Sequence, residues 1–357
     1  PMLFAPSEQS VGRRGYSRFR SWTEISKFFE DAETTSYGSA KNLVNHLLSQ
    51  FSADECLDIE QKLGGANNRV YDVRTSKNRY ILKRSFRAPE DKRDRFGNEL
   101  AFYQYCEAAG IECVPRMYSS EKQHNAILLE FIDADNFDDV RISDYHIEQA
   151  ADFIVSLNGK RKDRSALPYA SEAAFSIDEH IKIVDRRVRR LTELTTSQSL
   201  GGFVDSTLTP TWERVQSTTS SIVADRRHYT LRNADRCVSP SDFGFHNALV
   251  SDKGIVRFFD FEYGGIDDPA RMICDFFSQV AFPVSASFAP EFIGQICQIV
   301  DDDVWLRQRT RILMPIYKVK WCCIVLNAFL PAESKRHRFA GVSLDRAFLR
   351  KKLELAA

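Results

Sequence analysis

"SDFGFHNALVSDKGIVRFFDFEYGG", residues 241–265, carries two Asp-Phe pairs, Asp242-Phe243 and Asp260-Phe261, with Asn247 five residues after the first aspartate. The apolar run that ends at Asp260 reads as a buried strand whose terminus delivers a carboxylate to a cleft. A hard divalent cation such as Mg2+ takes oxygen ligands, often one or two carboxylates together with substrate phosphates. Asn247 and Asp260 can supply that combination. Asp242, in a loop after Ser239 and Pro240, is then left to position a hydroxyl and take its proton.

Upstream, the pattern changes along the chain. "LDIEQKLGG", "NRVYDVRTS" and "NRYILKRSF" are short β-rich runs separated by turn residues, and they predict an antiparallel meander from about residue 57. A charged, helix-compatible stretch follows from Pro89 to Ala109, then two further strands in "RMYSSE" and "NAILLEFID". Beyond residue 140 helical periodicity dominates, near 143–158, 172–196, 205–225, 268–281, 288–300, 303–329 and 342–355. The organisation expected is an N-terminal extension with helices (1–56), a small sheet lobe with a hinge (57–135) and a larger helical lobe (136–357).

Composition bounds the function. The 357 residues hold 49 basic and 49 acidic side chains, a balance that argues against a dedicated nucleic-acid or membrane-surface binder. No apolar run is read as approaching the ~20 residues of a membrane span, and the eight scattered cysteines lack zinc-site spacing. A cytoplasmic protein with reduced thiols is the expectation.

Several residues in the first lobe carry chemistry. Gly64 and Gly65, followed by Asn67 and Asn68, form a hairpin that serves as a turn or lets phosphate oxygens approach the backbone. Lys83 shares a strand face with Ile81, so it either meets a nucleotide phosphate under that loop or sits solvated at an edge. Glu99, sixteen residues on, lies on the following helix, exposed or orienting Lys83.

Taken together, the Gly-rich hairpin, Lys83, Glu99, "DFGFHN" and "DFEYGG…DPAR" resemble the aminoglycoside phosphotransferase and choline kinase superfamily over roughly residues 57–330. The resemblance implies an α+β, bilobal protein-kinase-like fold and a small-molecule kinase using ATP and Mg2+, with ATP and GTP not distinguished. It implies Asp242 as catalytic base, despite a tripeptide that looks like the metal-binding DFG of protein kinases. Asn247 and Asp260 would be metal ligands, with Glu262 at a second metal. Gly64, Gly65, Asn68, Lys83 and Glu99 would serve the nucleotide, and backbone groups of Glu130, Phe131 and Ile132 the adenine. Asp275 resembles a helix aspartate that braces the catalytic loop. The usual His-Gly before the catalytic Asp is replaced by Pro240-Ser241, which motivates a catalytically silent alternative.

Only seven residues separate Asp260 from Asp268, and Pro269 suits the first turn of a helix, so a peptide-docking segment has little room. A small hydroxyl-bearing acceptor is expected. Residues 301–357 hold 12 Lys and Arg against 6 Asp and Glu, which favours a sugar or sugar derivative over the cationic acceptors of aminoglycoside or choline kinases. Lys320, Trp321 and Asn327 fall where the family's later helices wall the acceptor site, although Trp321 also suits the core. The sequence carries no signal about oligomeric state.

Overall fold

The computed structural model describes residues 40–62, 68–85, 93–137, 140–159, 163–194, 198–223, 226–330 and 345–357. The helix expected in "SWTEISKFFEDA" and the hairpin glycines Gly64 and Gly65 lie outside them.

Five antiparallel strands build the small lobe: β1 (Cys56–Lys62), β2 (Asn68–Thr75), β3 (Arg79–Ser85), β4 (Met117–Glu121) and β5 (Ala126–Glu130), in the order β1-β2-β3-β5-β4. Alternation sends successive side chains to opposite faces. On one face Leu82, Val73 and Leu128 join Leu43, Val44, Leu47 and Leu48 of α1 (residues 40–48) in a separate apolar cluster. On the other, Ile81, Ile127 and Leu129 meet α2 (Arg95–Ala108) and the main core. The helix at the end of the expected N-terminal extension thus covers the outer face of the sheet, and Cys56 N–H donates to Asn45 Oδ1 (2.8 Å) to fix its end. Helix α2 begins where the Asp94 carboxylate accepts from Gly97 N–H.

A two-residue strand, β6 (Asp135–Asn136), leads into the helical lobe. That lobe contains α3 (Asp144–Leu157), α4 (Ile177–Thr192), α5 (Gln198–Phe203), α6 (Thr209–Val223), α7 (Pro269–Ser278), α8 (Ala289–Ile296) and α9 (Asp303–Leu326). A last helix, Arg346–Ala356, packs on α9. Helix α4 starts at Ile177 rather than near 172, because Ser176 and Glu179 form a reciprocal capping box there. Helix α9 with its last turn (Asp303–Phe329) is an exception to the expectation about membrane spans. It is long and apolar enough to cross a bilayer, but 56% of its most apolar window is buried, packed against α4 and α7 as a core helix.

Between α6 and α7 lie the short strands β7 (Cys237–Ser239), β8 (Ala248–Val250), β9 (Val256–Phe258) and β10 (Gly265–Asp267). β7 pairs with β10, and β8 lies between β6 and β9. The aromatics beside the two aspartates anchor these loops. Phe243 packs on Phe258 and Phe276, with ring centroids 5.3 and 5.0 Å apart, and Phe261 stacks on Phe102 of α2 at 4.5 Å. All eight cysteines are free thiols.

The packing makes α1 part of the sheet lobe's core. Leu47→Ala should therefore lower unfolding stability by about 2–5 kcal/mol in a urea titration. A loss below about 0.5 kcal/mol, typical of surface positions, would show that α1 is peripheral.

Candidate active site

Lys83 projects from the α2-facing side of β3 and is 7% exposed. Its Nζ lies 2.7 Å from Glu99 Oε1 and 2.6 Å from Asp260 Oδ1. Burial works against the ammonium, but the carboxylates of Asp260 and Glu99 outweigh it and hold the Lys83 pKa above its ordinary value. Burial pushes Glu99 up to about 7, and the nearby Lys83 charge only partly offsets this. Glu99 also accepts from Phe261 N–H (3.3 Å), which ties α2 directly to the second Asp-Phe pair.

Asp260 lies two residues past β9, with φ +67°. Ser241, just before Asp242, has φ +68°. Left-handed backbone at two non-glycine residues costs energy and clusters at functional sites. Here the neighbouring buried rings hold both loops in place. Asn247 Nδ2 donates to the Asp242 carbonyl (2.9 Å), and the Asn247 carbonyl accepts from Phe259 N–H (3.0 Å). The amide nitrogen is thus spent on the loop, and Oδ1 is the side-chain atom of Asn247 that could coordinate a cation. One carboxylate and one amide oxygen form a donor set suited to a hard divalent cation that takes its remaining ligands from phosphate and water. Among the described residues, no three His, Cys, Asp or Glu side chains converge as a metal site of their own.

The Asp242 side chain is 37% exposed, and His246 Nε2 lies 3.2 Å from its Oδ1. Burial favours its neutral form, but the hydrogen bond and charge of His246, with Lys320 and Asn247, pull its pKa below the usual carboxylate value. The loop is braced without the usual His-Gly. Arg271 of α7 donates to Ser241 Oγ (3.1 Å) and to the Ser171 carbonyl (2.8 Å), and Asp242 N–H donates to the Pro240 carbonyl (2.9 Å). Sequence reasoning missed both His246 and Arg271 as braces. A histidine four residues from the aspartate was the available signal for the first.

Other expected site residues are placed differently. Glu262 is 2% exposed and receives the Asn68 amide (2.9 Å), with Arg95 at 3.7 Å. Glu262 and Asn68 therefore lock β2 to the segment after Asp260, and the Glu262 charge already faces the Arg95 guanidinium. Glu130 N–H donates to the Arg116 carbonyl (2.8 Å), and its carboxylate pairs with Arg257 (2.6 Å). The Glu130 N–H is thus already used, while Phe131 packs its ring under the Arg79 guanidinium, 3.6 Å from the centroid. Asp275 meets Lys320 Nζ (2.9 Å), Trp321 Nε1 (2.8 Å) and Arg271 Nε (3.4 Å), so it braces α9 and reaches the Ser241–Asp242 loop through Arg271. Asn327 caps the end of α9, where Arg190 donates to its Oδ1 (3.4 Å). It is not part of the Lys320–Trp321–Asp275 group. Glu172, unmarked in the sequence reading, pairs with Arg187 (2.6 Å) beside Lys320. Despite partial burial, the charges of Arg187 and Lys320 pull its carboxyl down to about 2.

The model of the phosphotransferase enzyme family (APH) matches residues 58–311, and the chain belongs to that family. It is a phosphotransferase with an alcohol group as acceptor, built on the fold of small-molecule kinases. Similar solved structures include a spectinomycin phosphotransferase in complex with ADP and spectinomycin (13% identity, TM-score 0.58, covering 88% of this chain and 97% of that one). Others are a choline kinase from Streptococcus pneumoniae (16%, 0.54, 89% and 97%) and an ethanolamine kinase from Plasmodium vivax (16%, 0.54, 95% and 98%). At these identities the likeness concerns the fold. No curated protein matches the chain.

Two outcomes test the geometry. Lys83→Met should cost about 3–5 kcal/mol, because it leaves Glu99 buried without its cation. Adding Glu99→Leu should recover part of that loss in the double-mutant cycle, and strictly additive losses would show that the pair is uncoupled. Because the Glu172 pKa is depressed from 4.5 to about 2, its stabilising effect is present above about pH 4.5 and is lost as pH falls towards 2. Glu172→Gln should flatten the melting-temperature profile across that window, and an unchanged profile would remove Glu172 from the network.

Proposed function

We propose that the protein transfers the γ-phosphate of ATP to a hydroxyl of a small acceptor bound on the helical-lobe side of Asp242. The observation that carries this is the single ammonium of Lys83 held against both Glu99 and Asp260, with Asp242 on the adjoining loop. The acceptor oxygen bonds to the γ-phosphorus, the bond from that phosphorus to the bridging oxygen breaks, and ADP departs. Asp242 orients the hydroxyl and takes its proton as the bond forms. Lys83 contacts the nucleotide phosphates, and Phe131 and Ile132 offer backbone groups to the base. Asn247 and Asp260 would hold Mg2+, which supplies charge stabilisation to the transferring phosphoryl group. Complexes with ADP and AMP among the similar structures support a nucleotide in the interlobe cleft.

The acceptor reading shifts with the charges on the page. Part of the basic charge of residues 301–357 is paired internally: Lys320 with Asp275, Arg309 with Asp268 and Arg350 with Glu354. The "KRHR" segment lies outside the described residues. The support for a sugar over a cation is therefore weak. The similar structures are named for spectinomycin, choline and ethanolamine, so aminoglycosides and amino alcohols lead the acceptor panel, with sugar derivatives second.

With labelled ATP, Mg2+ and that panel, wild-type protein should give a labelled small molecule. Asp242→Asn should slow transfer by about 10²–10⁴-fold while retaining nucleotide binding, and Asp260→Asn should weaken Mg2+-dependent nucleotide binding. Full activity of Asp242→Asn would refute the base assignment. Nucleotide binding without transfer to any member would favour the catalytically silent alternative.

A further inference from the structure

On the helical lobe, outside the Lys83–Asp260–Asp242 constellation, a cavity of about 510 Å³ is lined by Arg164, Ser165, Tyr169, Asn233, Arg236 and Ile266, among others. Its floor is a three-segment backbone ladder. Ile266 N–H donates to the Pro168 carbonyl (2.8 Å), Ala170 N–H donates to the Ile266 carbonyl (3.0 Å), and β10 pairs with β7 directly after Arg236. The guanidinium groups are pre-oriented. Arg236 lies 3.9 Å over the Phe175 ring and donates to the Tyr169 hydroxyl (3.4 Å) and the Leu231 carbonyl (3.2 Å), while Arg164 donates to the Arg236 carbonyl (2.8 Å).

Neither arginine has a carboxylate partner among the described residues. The nearby acids are used elsewhere: Asp163 on the Ser165 N–H (2.9 Å), and Asp235 on Arg232 (2.6 Å) and the Asp301 N–H (3.2 Å). Two like charges facing one cavity repel each other, and an anion between them removes that repulsion. We propose that this cavity is a second ligand site, which takes the phosphate group of a small organic phosphate monoester. A dianionic phosphate balances two guanidinium groups and has enough oxygens for their forks together with the Ser165 and Tyr169 hydroxyls and the Asn233 amide. The volume leaves room for an organic body over the apolar floor. Because the floor is the β7–β10 ribbon and Asp242 lies three residues past β7, an occupant would clamp the segment that carries the catalytic loop.

The test is calorimetric titration of the full chain with phenyl phosphate at constant ionic strength, with excess ADP present to fill the interlobe cleft. Saturable binding is expected in the wild type. It should weaken at least about tenfold in Arg164→Gln/Arg236→Gln, since hydrogen bonds to charged groups are lost. Ser165→Glu places an anion on an exposed position of the rim, leaves the packing intact and should abolish binding. No saturable binding, undiminished binding by Ser165→Glu, or competition between ADP and phenyl phosphate would overturn the proposal. Benzoate binding as tightly as phenyl phosphate would overturn the phosphate assignment.

Discussion

One ammonium group organises the molecule. Lys83 comes from the sheet, Glu99 from α2 and Asp260 from the loop after β9, so a single side chain joins three segments separated by as many as 177 residues. An isolated buried charge of either sign is expensive, and each of these groups is tolerable only in the presence of the others. Of the two carboxylates that Lys83 meets, Asp260 is the accessible one, with its side chain 33% exposed. An accessible carboxylate suits a divalent cation, whereas Glu99, with no exposed surface, is left to position the lysine.

The two Asp-Phe pairs show how such a centre is held. Each phenylalanine is almost fully buried, Phe243 at 2% and Phe261 at 1% exposure, and burying such a ring contributes about 1.5–3 kcal/mol. That is comparable to the cost of the left-handed backbone at Ser241 and Asp260. The rings lie in different surroundings, Phe243 within the helical lobe and Phe261 against α2, so the second pair also ties the lobes together.

Much of this was legible locally. Alternation in "YILKRS" put Lys83 on one face, and the meander, α2 and the order of later helices followed from periodicity and capping residues. What could not be read depends on partners distant in sequence. Glu262 has the same residue type and approximate position as a metal ligand, yet Asn68, 194 residues away, occupies one of its oxygens. Asn327 was expected with Lys320 and Trp321 on the acceptor wall, but α9 ends there and Arg190 of α4 supplies its partner. The fully buried His180–Asp268–Arg309 network joins α4, the α7 cap and α9, and none of those residues stands in a motif with the others. Burial drives the His180 pKa down to about 4, so at neutral pH the imidazole is uncharged and the Arg309 guanidinium alone balances Asp268.

The segment after Asp260 bears on the class of acceptor. Its few residues before α7 form β10, paired with β7 and bridged to Tyr169. A Cβ at Gly265 would lie 2.3 Å from the Pro168 carbonyl oxygen, so the chain passes there without room for a side chain. Asp268 then caps α7 immediately, bound by His180 and Arg309. A peptide substrate needs a flexible stretch at this point to lie against, and here every residue is already committed to internal pairing. On the proposed reading, the acceptor side falls to helices α4, α7 and α9 and the Glu172 turn, a wall that holds the Glu172–Arg187 and Lys320–Asp275 ion pairs. Such a wall selects a small molecule by shape and a few polar contacts rather than by an extended backbone.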